Sequence, residues 1–235
     1  MVKMREIVLD TETTGLDAKE GDRIVEIGCI EIIDQRITGR SYHQYINPER
    51  AMPTAAFEVH GLGDEFLGDK PVFTEIAAEF IEFLGDANLV IHNAKFDMEF
   101  LNCELQKAGR HEIEMDRAID TVELYRKKHP GQRASLDAIC RHFRIDSSRR
   151  VKHGALLDAE LLAEVYLELT GGRQKDMLTG VFSAASGKGN DAEDGEWRPE
   201  PRQKPLPSRL TDSERKAHEM FVGSMGPDAL WNKFN

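Results

Sequence analysis

Two carboxylates one residue apart follow directly on an apolar run near the start of the chain, in Val8-Leu9-Asp10-Thr11-Glu12-Thr13-Thr14-Gly15-Leu16. If that run is a strand, Asp10 and Glu12 face the same side of it. Two anions on one face repel each other, and burying them without a positive partner is costly. The Asp-x-Glu spacing alone says little. It recurs at Asp97-Met98-Glu99, Asp158-Ala159-Glu160 and Asp212-Ser213-Glu214, in a chain with 42 acidic residues. Placement sets the first pair apart, because it ends a buried-type strand and a Gly-containing turn follows.

Two further acids share that placement. Asp97 is expected one turn into a helix after the apolar stretch Leu89-Val90-Ile91, and Asp158 about one turn into a helix after His153. His153 stands in a Lys152-His153-Gly154 loop, five residues before Asp158, within reach of the same cleft. The histidines His60, His92, His129 and His142 carry no comparable signal on their own. Converging on one sheet edge, Asp10, Glu12, Asp97 and Asp158 form an all-oxygen cluster. Such a cluster suits Mg²⁺ or Mn²⁺ rather than zinc. Two such ions ~3.5–4 Å apart make a clamp for in-line attack on phosphorus, so metal is the expected positive charge between Asp10 and Glu12.

The elements that must bring these residues together are readable from periodicity. Arg5 to Asp10, Arg23 to Ile33 and Ile37 to Ile46 read as three strands, the last two joined by a hairpin at Asp34-Gln35-Arg36. A short turn or helix is expected from Pro53 through Phe57. Val72 to Leu84 places Phe73, Ile76, Ala77, Phe80, Ile81 and Leu84 on one helical face. Asn88 to His92 reads as a strand, with Asn93 as N-cap of a helix over Ala94 to Ala108 that Gly109 closes. A last strand ends at Ile119-Asp120. Helices are then expected at Thr121 to Lys128, at Leu136 to Phe143 capped by Ser135, and at Gly154 to Leu169. Strands in series followed by alternating strands and helices indicate an α/β layer fold, a mixed sheet covered by helices.

Composition excludes several function classes. No apolar run approaches the ~20 residues that span a bilayer, and the start lacks the apolar region of a signal peptide. Cys29, Cys103 and Cys140 are widely spaced, which suits a reducing, cytoplasmic setting rather than a disulfide framework. The formal charge of −11 argues against a protein that grips a nucleic-acid duplex through its own lysines and arginines. It leaves room for an acidic site that recruits cations, which then meet phosphate. After Gly172 the sequence turns rich in Gly, Pro, Ser and charge and reads as a flexible linker. Helical character returns at Thr211 to Phe221, and apolar Ala229-Leu230-Trp231 follows near the end of the sequence.

Four motifs, DTETTGL at Asp10 to Leu16, VHGL at Val59 to Leu62, HNAKFD at His92 to Asp97 and HGALLDA at His153 to Ala159, resemble the DEDDh family of 3′→5′ exonucleases, in the expected order across residues 5 to 170. SLDAICRHFRID and LLDAELLAEVYLELTGG narrow the resemblance to the proofreading subunits of bacterial replicative DNA polymerases. The resemblance implies an RNase H-like, mixed five-stranded sheet flanked by helices. It also implies a catalytic set of Asp10, Glu12, Asp97, His153 and Asp158. In it Asp10 touches both of two Mg²⁺ or Mn²⁺ ions, Glu12 and Asp158 bind the ion on the nucleophile side, Asp97 completes the cluster, and His153 is the general base. The stretch from Thr11 through Thr13 and Gly15 to Leu16 resembles the wall that receives the terminal nucleotide, with Leu16 a wedge against its base. His60, Asn93 and Phe96 resemble further pocket residues. One departure is visible: Ala55-Ala56 stands where family members can carry an acidic residue.

The implied function is proofreading, the removal of mismatched 3′-terminal nucleotides from DNA as 5′-monophosphates. An exoribonuclease acting on RNA 3′ ends would share the whole acidic set, and a catalytically silent binding subunit would need none of it. The expected organisation is an exonuclease domain over residues 1–172, a linker over 173–208 and a polymerase-binding tail over 209–235. Gln174, Met177 and Leu178 resemble a short peptide that binds the sliding clamp. Phe221, Leu230 and Trp231 are the expected anchors on the polymerase catalytic (alpha) subunit. The resemblance also admits a small stabilising, theta-like subunit.

Overall fold

The computed structural model describes residues 4–148, 150, 152–171 and 211–224. The described residues form β1 (Arg5–Thr13), β2 (Ile24–Ile33), β3 (Arg36–Tyr45), α1 (Thr54–His60), α2 (Asp64–Leu67) and α3 (Phe73–Leu84). These are followed by β4 (Asn88–Ile91), α4 (Ala94–Lys107), β5 (Ala118–Asp120), α5 (Thr121–Lys128), α6 (Leu136–Phe143), α7 (Ala155–Thr170) and α8 (Asp212–Ser224). Sheet order is β3-β2-β1-β4-β5. The first three strands run antiparallel, while β4 joins β1 and β5 joins β4 in parallel. Asp34 and Gln35 both take positive φ, the geometry of a tight two-residue hairpin whose twist matches the flanking strands.

Alternation along the strands divides the core in two. Ile7 and Leu9 of β1 join Ile27, Cys29, Leu89 and Ile91 beneath α3 and α4. Val8, with Ile30, Ile32 and Val90, packs against α5, α6 and α7 on the opposite face. By the same alternation Asp10 and Glu12 lie on the α7 face and Thr11 on the α4 face.

Three sequence expectations change. First, β1 does not end at Asp10. Thr11, Glu12 and Thr13 continue its pairing with β2 through Thr13↔Ile24, whereas pairing with β4 stops at Leu9↔Ile91. The acidic pair is thus the overhang of a central strand beyond its parallel neighbour, and the β-branched threonines keep it extended. Second, Asn93 precedes α4 in a left-handed conformation, but its side chain caps nothing. The carboxylate of Asp120 does that work from the end of β5, accepting from the backbone N–H groups of Asn93, Ala94 and Val122 at 3.2, 3.0 and 2.8 Å. Third, α1 runs past Phe57 to His60, where Gly61, at φ 77°, closes it. The four-residue α2 was too short to show a period. Ser135 holds the N-cap position of α6 without a side-chain hydrogen bond.

The chain divides into compact units at residues 1–187 and 188–235. In the second unit α8 leaves Met220 78% and Phe221 59% exposed. Gln174, Met177, Leu178, Leu230 and Trp231 lie outside the described residues, as does most of the expected linker.

Candidate active site

The overhang of β1 meets the first turns of two helices. Asp97 is the fourth residue of α4 and Asp158 the fourth of α7, so each projects from a helix N-terminus where a negative side chain is favoured. The two helices come from opposite faces of the sheet and meet at the β1 overhang. A cavity of about 300 Å³ there is lined by Asp10, Glu12, Asp97, Asp158 and His153, with His92, Phe96, Asp137 and Arg150 among its other walls. All four expected carboxylates and the expected base are brought together.

The close approach of α7 to the sheet depends on Gly28, the β2 partner of Asp10. A Cβ on Gly28 would overlap the peptide joining Ala155 to Leu156. Only a residue without a side chain lets the N-terminus of α7, and with it Asp158, settle against the strand that carries Asp10.

Crowding leaves a clear electrostatic signature. Asp10 is pushed well above the ordinary carboxylate range by burial, then by Asp97, Asp158 and Glu12. Burial, with Asp158 and Glu26 next, raises Glu12 from 4.5 to about 8. Asp97 rises to about 7 through burial, although the Thr11 hydroxyl donates to its Oδ1 at 2.7 Å and opposes the shift. These acids lack enough positive charge within the protein. Ligand atoms of Glu12, His153 and Asp158 lie within 4.8 Å of one another, close enough to share one ion. The donors are carboxylate oxygens with a single imidazole, so the residues fit hard divalent cations.

His153 is half exposed, and its Nδ1 stands 3.5 Å from Oδ2 of Asp158. Its backbone N–H donates to the carbonyl of Val59 at 3.4 Å, tying its loop to α1. Adjoining the first cavity, between α1 and the end of β1, lies a second cavity of about 550 Å³, which shares Thr11, Glu12 and Phe96 with the first. Thr13, Gly15, Leu16, Ala55, Ala56, Val59 and His60 line it, so the Ala55-Ala56 departure makes its wall apolar. Leu16 is 86% exposed at this cavity. His60 is buried, its Nδ1 accepts from the N–H of Leu62, and burial lowers its pKa. Asn93 lines neither cavity, because the turn into α4 is spent on Asp120.

Sequence reasoning missed Arg150 and Asp137. Arg150 donates from Nε and Nη2 to the two oxygens of Asp158 at 2.5 and 2.7 Å, and from Nη1 to Asp137 at 2.5 Å. Nothing in the basic stretch before His153 marks one arginine as internal. The pairing exists only because α6 and α7 fold side by side.

Comparison with known proteins agrees with this geometry. The exonuclease family model matches residues 7–166. The chain is 47% identical over 228 residues to the DNA polymerase III subunit epsilon of Rickettsia felis, covering 96% of this chain and 98% of that one. It is 55% identical over 177 residues to the same subunit of Rickettsia prowazekii, covering 74% and 77%.

The chain belongs to the DNA polymerase III epsilon subunit family.

Among solved structures, exonuclease X in complex with 5′-overhanging duplex DNA matches with a TM-score of 0.56 at 24% identity, over 71% of this chain and 92% of that one. The fold is therefore the RNase H-like mixed sheet that the motifs implied. No helix among the described residues is long and apolar enough to cross a membrane.

Proposed function

We propose that this chain is the 3′→5′ exonuclease that proofreads for a replicative DNA polymerase, releasing unpaired 3′-terminal nucleotides as 5′-monophosphates. The observation that carries the reading is the one cavity where Asp10, Glu12, Asp97, Asp158 and His153 meet, beside a largely apolar cavity of about 550 Å³. Asp10, Glu12, Asp97 and Asp158 would hold two Mg²⁺ or Mn²⁺ ions. When bound, such ions polarise a phosphoryl oxygen and lower the pKa of water.

The chain's own residues do the rest. Nδ1 of His153 faces Asp158 and takes the proton from the attacking water. Thr11 fixes the rotamer of Asp97 through its hydroxyl. Leu16, Ala55, Ala56, Val59 and Phe96 receive the terminal base and sugar, with His60 and the Thr13 to Gly15 backbone at the polar edge. A mismatched end frays at lower cost than a matched one, so selectivity needs no reading of the wrong base. We assign residues 1–172 to this activity, 173–208 to a linker and 209–235 to attachment on the polymerase subunit, in the cytoplasm. Gln174, Met177 and Leu178 would reach the sliding clamp, and a small theta-like subunit would steady the domain.

The test is the purified protein on primer–templates with matched or mismatched 3′ ends, with Mg²⁺, Mn²⁺ or EDTA, beside an RNA oligonucleotide. Metal-dependent release of deoxynucleoside monophosphates, faster from the mismatch, is expected. Preferential attack on RNA, or equal rates with EDTA, overturns the reading. His153→Ala should lower the metal-dependent cleavage rate by about a hundredfold or more, the usual loss on removing a general base.

A further inference from the structure

Arg150 is a buried cation inside a site that, on the reading above, must also hold metal. Its side chain is 9% exposed. It grips Asp158 with both prongs of its fork, and the same Nη2 donates to Nδ1 of His153 at 2.9 Å. Its remaining prong reaches Asp137 on α6, whose side chain is 55% exposed at the rim. The guanidinium has no acceptor and does not lose its proton. The Nδ1 it donates to must therefore offer its lone pair, which in a neutral imidazole leaves the proton on Nε2. In this arrangement the lone pair that faces Asp158 is already engaged, and both oxygens of Asp158 are already charge-paired.

An ordinary structural ion pair would account for the grip on Asp158 alone. It would not account for one side chain that engages a metal-ligating carboxylate and the proton-accepting nitrogen together. Nor would it account for a third partner, at the solvent rim, that is neither. A divalent cation brought to Asp158 meets like charge a few ångströms away, strongly repelled in a partly desolvated cavity.

We propose that Arg150 is a displaceable internal cation. It occupies Asp158 and Nδ1 of His153 until a divalent cation takes the carboxylate, and Asp137 retains it at the rim afterwards. Arg150 is thus a positioning residue: metal binding and release of the base become one event, because the same guanidinium must leave both. The proposal rests on the metal-dependent reading of the site.

The test is Mn²⁺ binding to the EDTA-stripped full-length protein, followed by calorimetry, for wild type, Arg150→Gln and Arg150→Lys. Arg150→Gln removes the competing charge and should bind the first Mn²⁺ about tenfold more tightly, within the usual range of coupling between two ligands of one group. Arg150→Lys keeps the charge but loses the fork, so its gain should be smaller, about threefold, and it remains informative if the glutamine variant fails to fold. Nitrogen-15 spectra of His153 in the stripped wild type should show Nδ1 unprotonated and engaged, with that signal moving as Mg²⁺ is titrated in. Folded variants that bind Mn²⁺ no more tightly than wild type, or a His153 signal indifferent to Mg²⁺ while Mg²⁺ binds, overturn this proposal alone. Failure of the wild type to bind Mn²⁺ at all overturns the metal reading beneath it.

Discussion

At the scale of single residues, the site stores repulsion that a cation relieves. Asp10 is the extreme case, raised by burial and by three neighbouring acids. Asp10→Ala should abolish metal-dependent cleavage while raising the melting temperature of the EDTA-treated protein by a few degrees, since about 1 kcal/mol shifts a domain of this size by about 2–4 °C. A lower melting temperature with activity retained would contradict both halves. The shift of Glu12 from 4.5 to about 8 and that of Asp97 to about 7 set a pH dependence. An acid whose folded pKa is raised binds its proton more tightly in the folded state. Its contribution is complete below the unfolded value and lost as pH climbs through the folded one. The EDTA-treated protein should therefore lose stability between about pH 4.5 and 8, and saturating Mg²⁺ should flatten that slope, as thermal denaturation across a buffer series will show. The acids and His153 were legible in the sequence because family motifs flag residue type at fixed spacing. Arg150 and Asp137 were not, since neither spacing nor type separates them from surface charge.

At the scale of elements, the helices were legible from their apolar period and the hairpin from its short turn, but the joints were not. Asn93 has the composition of a cap, yet its left-handed backbone leaves the N–H groups of the turn to Asp120, which is near only because β5 lies beside β4. Asp120→Ala should cost about 1–2 kcal/mol, the usual loss for a helix cap, read as a denaturant midpoint. Because α4 carries Asp97, the same change should lower cleavage rate more than substrate affinity. An unchanged rate in a destabilised variant would show that Asp97 is held by Thr11 alone. The overhang of β1 escaped the sequence for a related reason: pairing partners decide where a strand stops, and β2 lies far from β4 in the chain.

At the scale of the whole molecule, a nuclease with net charge −11 has little non-specific hold on DNA, since such hold comes from cations on the protein. Attachment to the polymerase would supply the missing affinity as effective concentration near the primer end. Full-length Phe221→Ala/Trp231→Ala should keep wild-type cleavage of single-stranded DNA in isolation but lose co-elution with the polymerase catalytic subunit. Retained co-elution would place the attachment elsewhere.

The missing side chain at Gly28 has a consequence for heredity. In a cell that relies on this exonuclease for copying fidelity, a selection for colonies with raised spontaneous mutation rates should recover alanine or serine at this position alongside losses of the acids. The mutator allele would then map to a codon for a residue with no functional group at all.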